Sequence, residues 1–205
     1  MEIAVSYRIF RCGESHFYHD EILKSSGVIT DDHLESIAAG GFNGIWLRGR
    51  LRELVPGRLF ESYVEDVPAR KDALADLCNR AGRYGLGVWL LFEEPLGLEE
   101  DHPFWSEHPE LAGQKTWLKG IEEKPKLALC TSMEETKSFL REGYSELLES
   151  VPLAGVLLIT ASEEITHCWA HVQTNPDFAA PEPFWSAACH CPRCGKRNGA
   201  DVMGE

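Results

Sequence analysis

A chain of 205 residues, 43% hydrophobic and 26% charged, is long enough to bury one sizeable core and too apolar for disorder. Its formal net charge of −13 weighs against nucleic acid or an anionic membrane as partner, since both reward clustered lysine and arginine, and leaves neutral partners such as sugars open. Glu2 and Arg8 break up the N-terminus and no apolar run nears the roughly 18–20 residues of a membrane span, so the expectation is a soluble cytoplasmic protein.

In chain order, residues 3–10 carry β-branched and aromatic side chains and are predicted as a strand. Thr30-Asp31-Asp32-His33 opens a helix with a polar cap, and Gly40-Gly41 ends it. Residues 43–48 are the next strand. Leu74, Leu77, Cys78 and Ala81 recur at helical spacing within 70–84, Gly85 closes that helix, and 86–92 form a strand ending in Glu93-Glu94-Pro95. Residues 101–120, rich in proline and aromatics, read as a long loop, and 127–130 as a short extended piece. A helix over 133–150 follows, with Thr131 or Ser132 as its cap. Gly155 to Thr160 is a further strand, ending in Ala161-Ser162-Glu163-Glu164. Residues 161–205 look irregular, with short helical stretches.

Strand, helix, strand at this spacing predicts βαβ units and a parallel sheet, with apolar strands buried on both faces. No Gly-x-Gly-x-x-Gly follows the first strand, so the dinucleotide-binding form lacks its signature. The fold class expected is α/β of the (β/α)8 TIM-barrel type, incomplete, with about four βα units in residues 1–165 and a Cys/His-containing loop region over 166–205. Half a barrel leaves open sheet edges, so self-association through those edges is expected.

Chemistry in such folds gathers at the carboxyl ends of strands, which singles out Glu163, with Glu164 beside it, as a general acid/base. The competing reading of Thr160-Ala161-Ser162-Glu163 is a capping box, and a merely exposed carboxylate is the third. Glu93 and Glu94 are candidates for binding sugar hydroxyls or for a solvated strand end. Arg48 and Arg50 suit hydroxyl or carboxylate recognition, against ion pairs with Glu53 or Glu61. His16, His19 and Asp20 follow the first strand as substrate contacts or exposed surface. Trp105, Trp117, Trp169 and Trp185 are candidates for stacking on sugar rings, or for packing beneath long loops.

The seven cysteines are an odd number, and Cys12, Cys78, Cys130 and Cys168 are scattered, which argues against a disulfide scaffold. Cys189-His190-Cys191-Pro192-Arg193-Cys194 resembles a zinc knuckle. Cys189, Cys191 and Cys194 are therefore candidate metal ligands, to be completed from Cys168, His167 or His171. A structural zinc competes here with free thiols or a local disulfide, and no cofactor is required for hydrolysis itself.

The order of motifs resembles the catalytic barrel of glycoside hydrolase family 20, the β-N-acetylhexosaminidases. Arg8-Ile9-Phe10 stands where that family has a sugar-binding arginine followed by an aromatic. The stretches Gly41-Phe42-Asn43-Gly44-Ile45 and Gly85-Leu86-Gly87-Val88-Trp89-Leu90-Leu91-Phe92-Glu93 match its second and third strands. Leu129-Cys130-Thr131-Ser132 matches a turn before its fourth helix, and Leu158-Ile159-Thr160-Ala161-Ser162-Glu163 a strand ending His-x-Gly-Gly-Asp-Glu. The resemblance implies Glu163 as general acid/base, Arg8 as the residue that grips sugar hydroxyls, and hydrolysis of glycosidic bonds; Arg48, Glu93, Glu94, His167 and Trp169 are the further candidates for contact with a carbohydrate. Two departures stand out: Ser162 replaces the aspartate that orients the substrate acetamido group, and Val5-Ser6-Tyr7 lacks the acidic residue upstream of the arginine. The alternatives are a non-catalytic carbohydrate-binding or scaffold barrel, and a metal-dependent hydrolase built on the Cys/His cluster.

Overall fold

The computed structural model describes residues 6–11, 20–117, 123–160, 164–170 and 188–204. The chain divides into two compact units, each with its own sheet. The first comprises Met1–Pro56, Val64–Phe92 and Tyr144–Leu158, and the second Gly57–Tyr63, Glu93–Gly143 and Ile159–Glu205.

In the first unit, the strands β1 (Ile9–Arg11), β2 (Gly44–Arg48), β3 (Gly87–Phe92) and β7 (Gly155–Leu158) form one parallel sheet in that order. Strands thus join the sheet in the sequence in which they are made, as βαβ units require. The helices of this unit are α1 (Glu21–Val28), α2 (Asp31–Ala39), the single turn α3 (Leu51–Leu54) and α5 (Val67–Gly82). Asp20 caps α1 by accepting from the Leu23 N–H at 3.0 Å, and Thr30 caps α2 by accepting from the His33 N–H at 3.3 Å. Asp31, in the first turn of α2, accepts from Arg80 of α5 and from Arg83 just after it, each at 2.8 Å, and ties the two helices together. Leu74, Leu77, Cys78 and Ala81 form the buried stripe of α5, as their spacing predicts.

The strands β2 and β3 bury one face completely: Ile45, Leu47 and Leu90 are sealed from solvent and Val88 nearly so. The opposite face, with Trp46, Arg48 and Trp89, is half-buried, which corrects the expectation of burial on both faces. Trp89 explains two glycines beside it, and Ala154 a third. A Cβ on Gly155, its partner in β7, would lie 2.4 Å from the indole, and one on Gly44 3.1 Å from its Nε1. A Cβ on Gly87 would meet the Ala154 methyl at 2.5 Å. The two edge strands carry exposed apolar side chains, Phe10 on β1 and Leu158 on β7.

The second unit holds α4 (Gly57–Phe60), β4 (Leu98–Glu99), α6 (Phe104–Glu107), β5 (Ala112–Thr116), β6 (Lys126–Leu129) and the terminal helix α8 (Gly199–Met203). Its three strands are antiparallel, in the order β4-β6-β5. The stretch expected as a loop over 101–120 therefore contains a helical turn and a strand. Phe104 and Trp105 of this stretch are buried, in a core in which Phe60 stacks on Phe104 at 4.9 Å and meets Phe139 edge-on at 4.9 Å, while Pro103, Pro109 and Trp117 are exposed. The described residues of Glu93–Gly143 and Ile159–Glu205 fall in the same unit as Gly57–Tyr63. The long helix α7 (Glu134–Ser150) has residues in both units; Tyr144, in the first, meets Phe92 at 5.4 Å. Among the described residues no helix is long and apolar enough to cross a membrane.

Because the Trp89 ring already fills the space, Gly155→Ala should destabilise the protein by about 1–3 kcal/mol, the usual range for overpacking. Gly82→Ala, where an added Cβ meets nothing within 4 Å, should instead stabilise by up to about 1 kcal/mol. Urea denaturation of the two variants checks the contrast. Burial pushes the Cys78 thiol up to about 11, so in the folded state it stays protonated and inert well above neutral pH. A brief iodoacetamide pulse at about pH 8, read by mass spectrometry, should label Cys78 only after unfolding.

Candidate functional site

The C-terminal edge of the parallel sheet is organised by a carboxylate that the sequence did not single out. Glu21, at the start of α1, has a side chain only 3% exposed. Its Oε2 accepts from an Arg11 guanidinium N–H at 2.9 Å and from the Arg48 backbone N–H at 2.8 Å, while Oε1 accepts from the other terminal nitrogen of Arg11. Arg11, the last residue of β1, also lies 4.2 Å over the Trp46 ring. One fork-shaped ion pair thus joins the ends of β1 and β2 to the first turn of α1. The sequence signal was thin: an acidic residue in the first turn of a helix is ordinary, and its partner lies ten positions upstream.

Arg8 lies at the other edge. The strand β1 begins only at Ile9, which pairs with Gly44, so Arg8 is level with Asn43, ahead of β2. Its backbone N–H donates to Asn43 Oδ1 at 2.8 Å and its guanidinium sits 5.3 Å from the Phe42 ring. The expectation of Arg8 at the C-terminal end of the first strand is corrected; Arg11 holds that position. Arg48 does end β2, as expected. Arg50 pairs with Glu53 at 2.9 Å, the blander of its two readings.

In the second unit, Glu93 is buried directly after β3. Glu94 is half-buried, and its carboxylate accepts from the Leu96 N–H at 2.9 Å. Glu164 forms an ion pair with Lys126 at 3.4 Å. His167 is buried, and its Nδ1 accepts from the Trp169 N–H at 3.0 Å. The Trp169 indole N–H donates to the Cys194 carbonyl at 3.0 Å. Trp105 is buried with its N–H on the Glu99 carbonyl at 2.9 Å, so it is core rather than a sugar platform; Trp117 is 39% exposed. Glu163, Ser162, His16, His19, His171 and Trp185 lie outside the described residues.

The strongest convergence of chemistry-bearing groups in the second unit is of thiols. The Sγ atoms of Cys130, Cys168, Cys191 and Cys194 all lie within 4.8 Å of one another, and all four residues are buried. Cys130 follows β6, Cys168 lies in the segment 164–170, and Cys191 and Cys194 flank the turn Pro192-Arg193. Two of the three residues expected as ligands, Cys191 and Cys194, belong to the group. Cys189 does not, and is corrected: it is only half-buried and packs against the cluster's edge. Cys130, one of the scattered cysteines, takes the place; its signal was a position just after a strand, which becomes meaningful only once β6 pairs with β5.

Donors surround the sulfurs. Arg193 Nε donates to Cys130 Sγ at 3.2 Å, and Ser132 Oγ lies 3.3 Å from Cys194 Sγ. The hydrogen bond from Cys168, then those from Arg193 and the Ser132 backbone, hold the Cys130 thiol down at about 6 against the opposing effect of burial. Cys191 is lowered to about 4, first by Cys168 and then, against burial, by the backbone N–H groups of Cys194 and Arg193. Cys168, which supplies the shared proton, is raised.

No protein-family model matches the chain, and no curated protein matches it. Among solved structures, it is similar to the GH36 alpha-galactosidase AgaB from Geobacillus stearothermophilus, at 15% identity with a TM-score of 0.51 over 79% of this chain and 22% of that one. It is likewise similar to the noncanonic maltogenic alpha-amylase AmyB from Thermotoga neapolitana, at 15% identity with a TM-score of 0.50 over 75% of this chain and 39% of that one. The chain is therefore similar in fold to part of each of these two proteins, and spans well under half the length of either. The likeness is one of fold, and it does not single out family 20.

Removing the negative charge from the buried carboxylate leaves the Arg11 fork without its partner. Glu21→Gln should cost about 2–4 kcal/mol in urea unfolding, because it breaks a largely buried charged pair from one side. A loss below about 0.5 kcal/mol, the size expected of an ordinary surface change, would contradict that role for Glu21.

Proposed function

We propose that the four parallel strands are the first half of a glycosidase-type (β/α)8 barrel, and that Glu163 is the general acid/base that cleaves a glycosidic bond. The observation that carries this reading is the sheet order: β1, β2, β3 and β7 lie side by side, all parallel, in chain order. That is how a barrel is built up, and in barrels the reacting groups stand on the segments that follow the strands. In the sequence Glu93 follows β3 and the pair Glu163-Glu164 follows β7. The half-buried face with Trp46 and Trp89, and the exposed Phe10 and Leu158 on the edge strands, support a sheet that further strands would cover.

In this reading Glu163 protonates the leaving oxygen and afterwards takes a proton from water. Glu164, already paired with Lys126, serves structure first. Ser162, in place of an acetamido-orienting aspartate, points away from substrate-assisted attack and hence from N-acetylated sugars as the preferred class. The same replacement favours, as a second reading, a barrel that binds carbohydrate without cleaving it.

The test uses the natural full-length protein and a panel of aryl glycosides, N-acetylated and plain. Wild-type turnover with a roughly thousandfold loss in Glu163→Gln is the expected result, on the scale of general acid catalysis. Turnover that survives the substitution would sink the assignment of Glu163. Glycan binding with no turnover on any substrate would establish the second reading instead.

A further inference from the structure

We propose that Cys130, Cys168, Cys191 and Cys194 bind one zinc ion through four thiolates, forming a closed structural site that fastens the segments 164–170 and 188–204 to the antiparallel sheet. A zinc–sulfur bond of about 2.3 Å in a tetrahedron places the sulfurs about 3.8 Å apart. Cys130 Sγ lies 3.7 Å from Cys191 Sγ and 3.5 Å from Cys194 Sγ, and no pair in the group exceeds 4.8 Å. The cluster is thus the size of a metal-centred tetrahedron before any ion is placed in it. A disulfide needs its sulfurs at about 2.05 Å, so these are not bonded pairs.

Polar groups line the sulfurs: Arg193 Nε lies 3.2 Å from Cys130 Sγ and Ser132 Oγ 3.3 Å from Cys194 Sγ. Four thiolates around a divalent ion leave two negative charges. Arg193 lies directly on Cys130 Sγ and is held in place by the Ala112 carbonyl at 2.8 Å. Arg197 donates to Ser132 Oγ at 2.7 Å, and that oxygen lies beside Cys194 Sγ. Two cations therefore face the charge that the filled site would carry.

The backbone gives way to the sulfurs as well. A Cβ on Gly113 of β5 would lie 2.4 Å from Cys168 Sγ, so only glycine admits that thiol against the sheet. A Cβ on Gly195 would lie 2.4 Å from the Cys189 carbonyl, and Gly195 N–H donates to the Cys191 carbonyl at 2.8 Å, closing the knuckle. All four ligands are buried sulfurs, which leaves no open position for substrate or water; the site serves stability and not hydrolysis.

The full-length protein, purified under reducing conditions without added metal, should contain about one zinc per chain by mass spectrometry of the metals. Exchange with cobalt should give thiolate-to-cobalt charge transfer together with the d–d bands of a tetrahedral S4 site. Cys189→Ser should keep both signatures. Cys130→Ser should lose more affinity than the roughly 10–100-fold typical of an outer-shell partner. The cobalt spectrum of the wild type answers the question even if Cys130→Ser fails to fold. A wild type that takes up neither zinc nor cobalt, a stoichiometric iron–tetrathiolate spectrum, or loss of metal in Cys189→Ser would each overturn the proposal.

Discussion

The parallel sheet depends on room for one indole. Trp89 lies across its neighbours on β3, and both adjoining strands yield to it with glycine, Gly44 on β2 and Gly155 on β7. The register of the sheet follows, because sliding either neighbour by one residue would bring a side chain into the ring and turn that strand's buried face outward. Once the register is fixed, the strand ends are fixed too. Arg11 and Arg48 arrive within reach of a single carboxylate, and Glu21 binds both. A steric fit in the middle of the sheet thereby sets the electrostatics at its edge.

Much of this unit was legible in the sequence, because periodicity and punctuation acted together. Thr30 as cap and glycines at 41 and 85 in left-handed conformations place α2 and the starts of β2 and β3 within a residue or two, and the stripe Leu74, Leu77, Cys78 and Ala81 finds α5, which begins three residues earlier than expected. The first strand was misplaced because apolar residues precede Arg8 without separating a strand from its approach, and pairing with β2 begins only at Ile9. Residues 101–120 were misread for a different reason. Prolines and aromatics signal a loop when judged locally, yet Phe104 stacks on Phe60, which in turn meets Phe139, and both stand far away in the chain.

The thiol cluster shows the same limit more sharply. Cys191 and Cys194 announce themselves by spacing, since a turn alone can bring them together. Cys168 was one of several candidates to complete the set and Cys130 was not among them, because what aligns these two is the pairing of β6 with β5 and the bond from the Gly97 N–H to the Ile165 carbonyl at 2.7 Å. Cys189, adjacent to the knuckle in sequence, is on the wrong side of it. Glu21 belongs with the same class of residue: its importance comes from desolvation and from partners that the fold supplies, neither of which a residue type reveals.

The separation of the four sulfurs along the chain has a consequence for synthesis. Cys130 precedes Cys194 by 64 positions. At typical elongation rates of about 5–20 residues per second, roughly 3–13 s pass between the appearance of the first thiol and the last. Throughout that interval the end of β6 is a nascent strand with a reactive group and without the neighbours that later enclose it. The group of four thiols can therefore be completed only after Cys194 has been made. Whatever environment receives the growing chain must keep Cys130 and Cys168 reduced and apart from other thiols until that segment arrives.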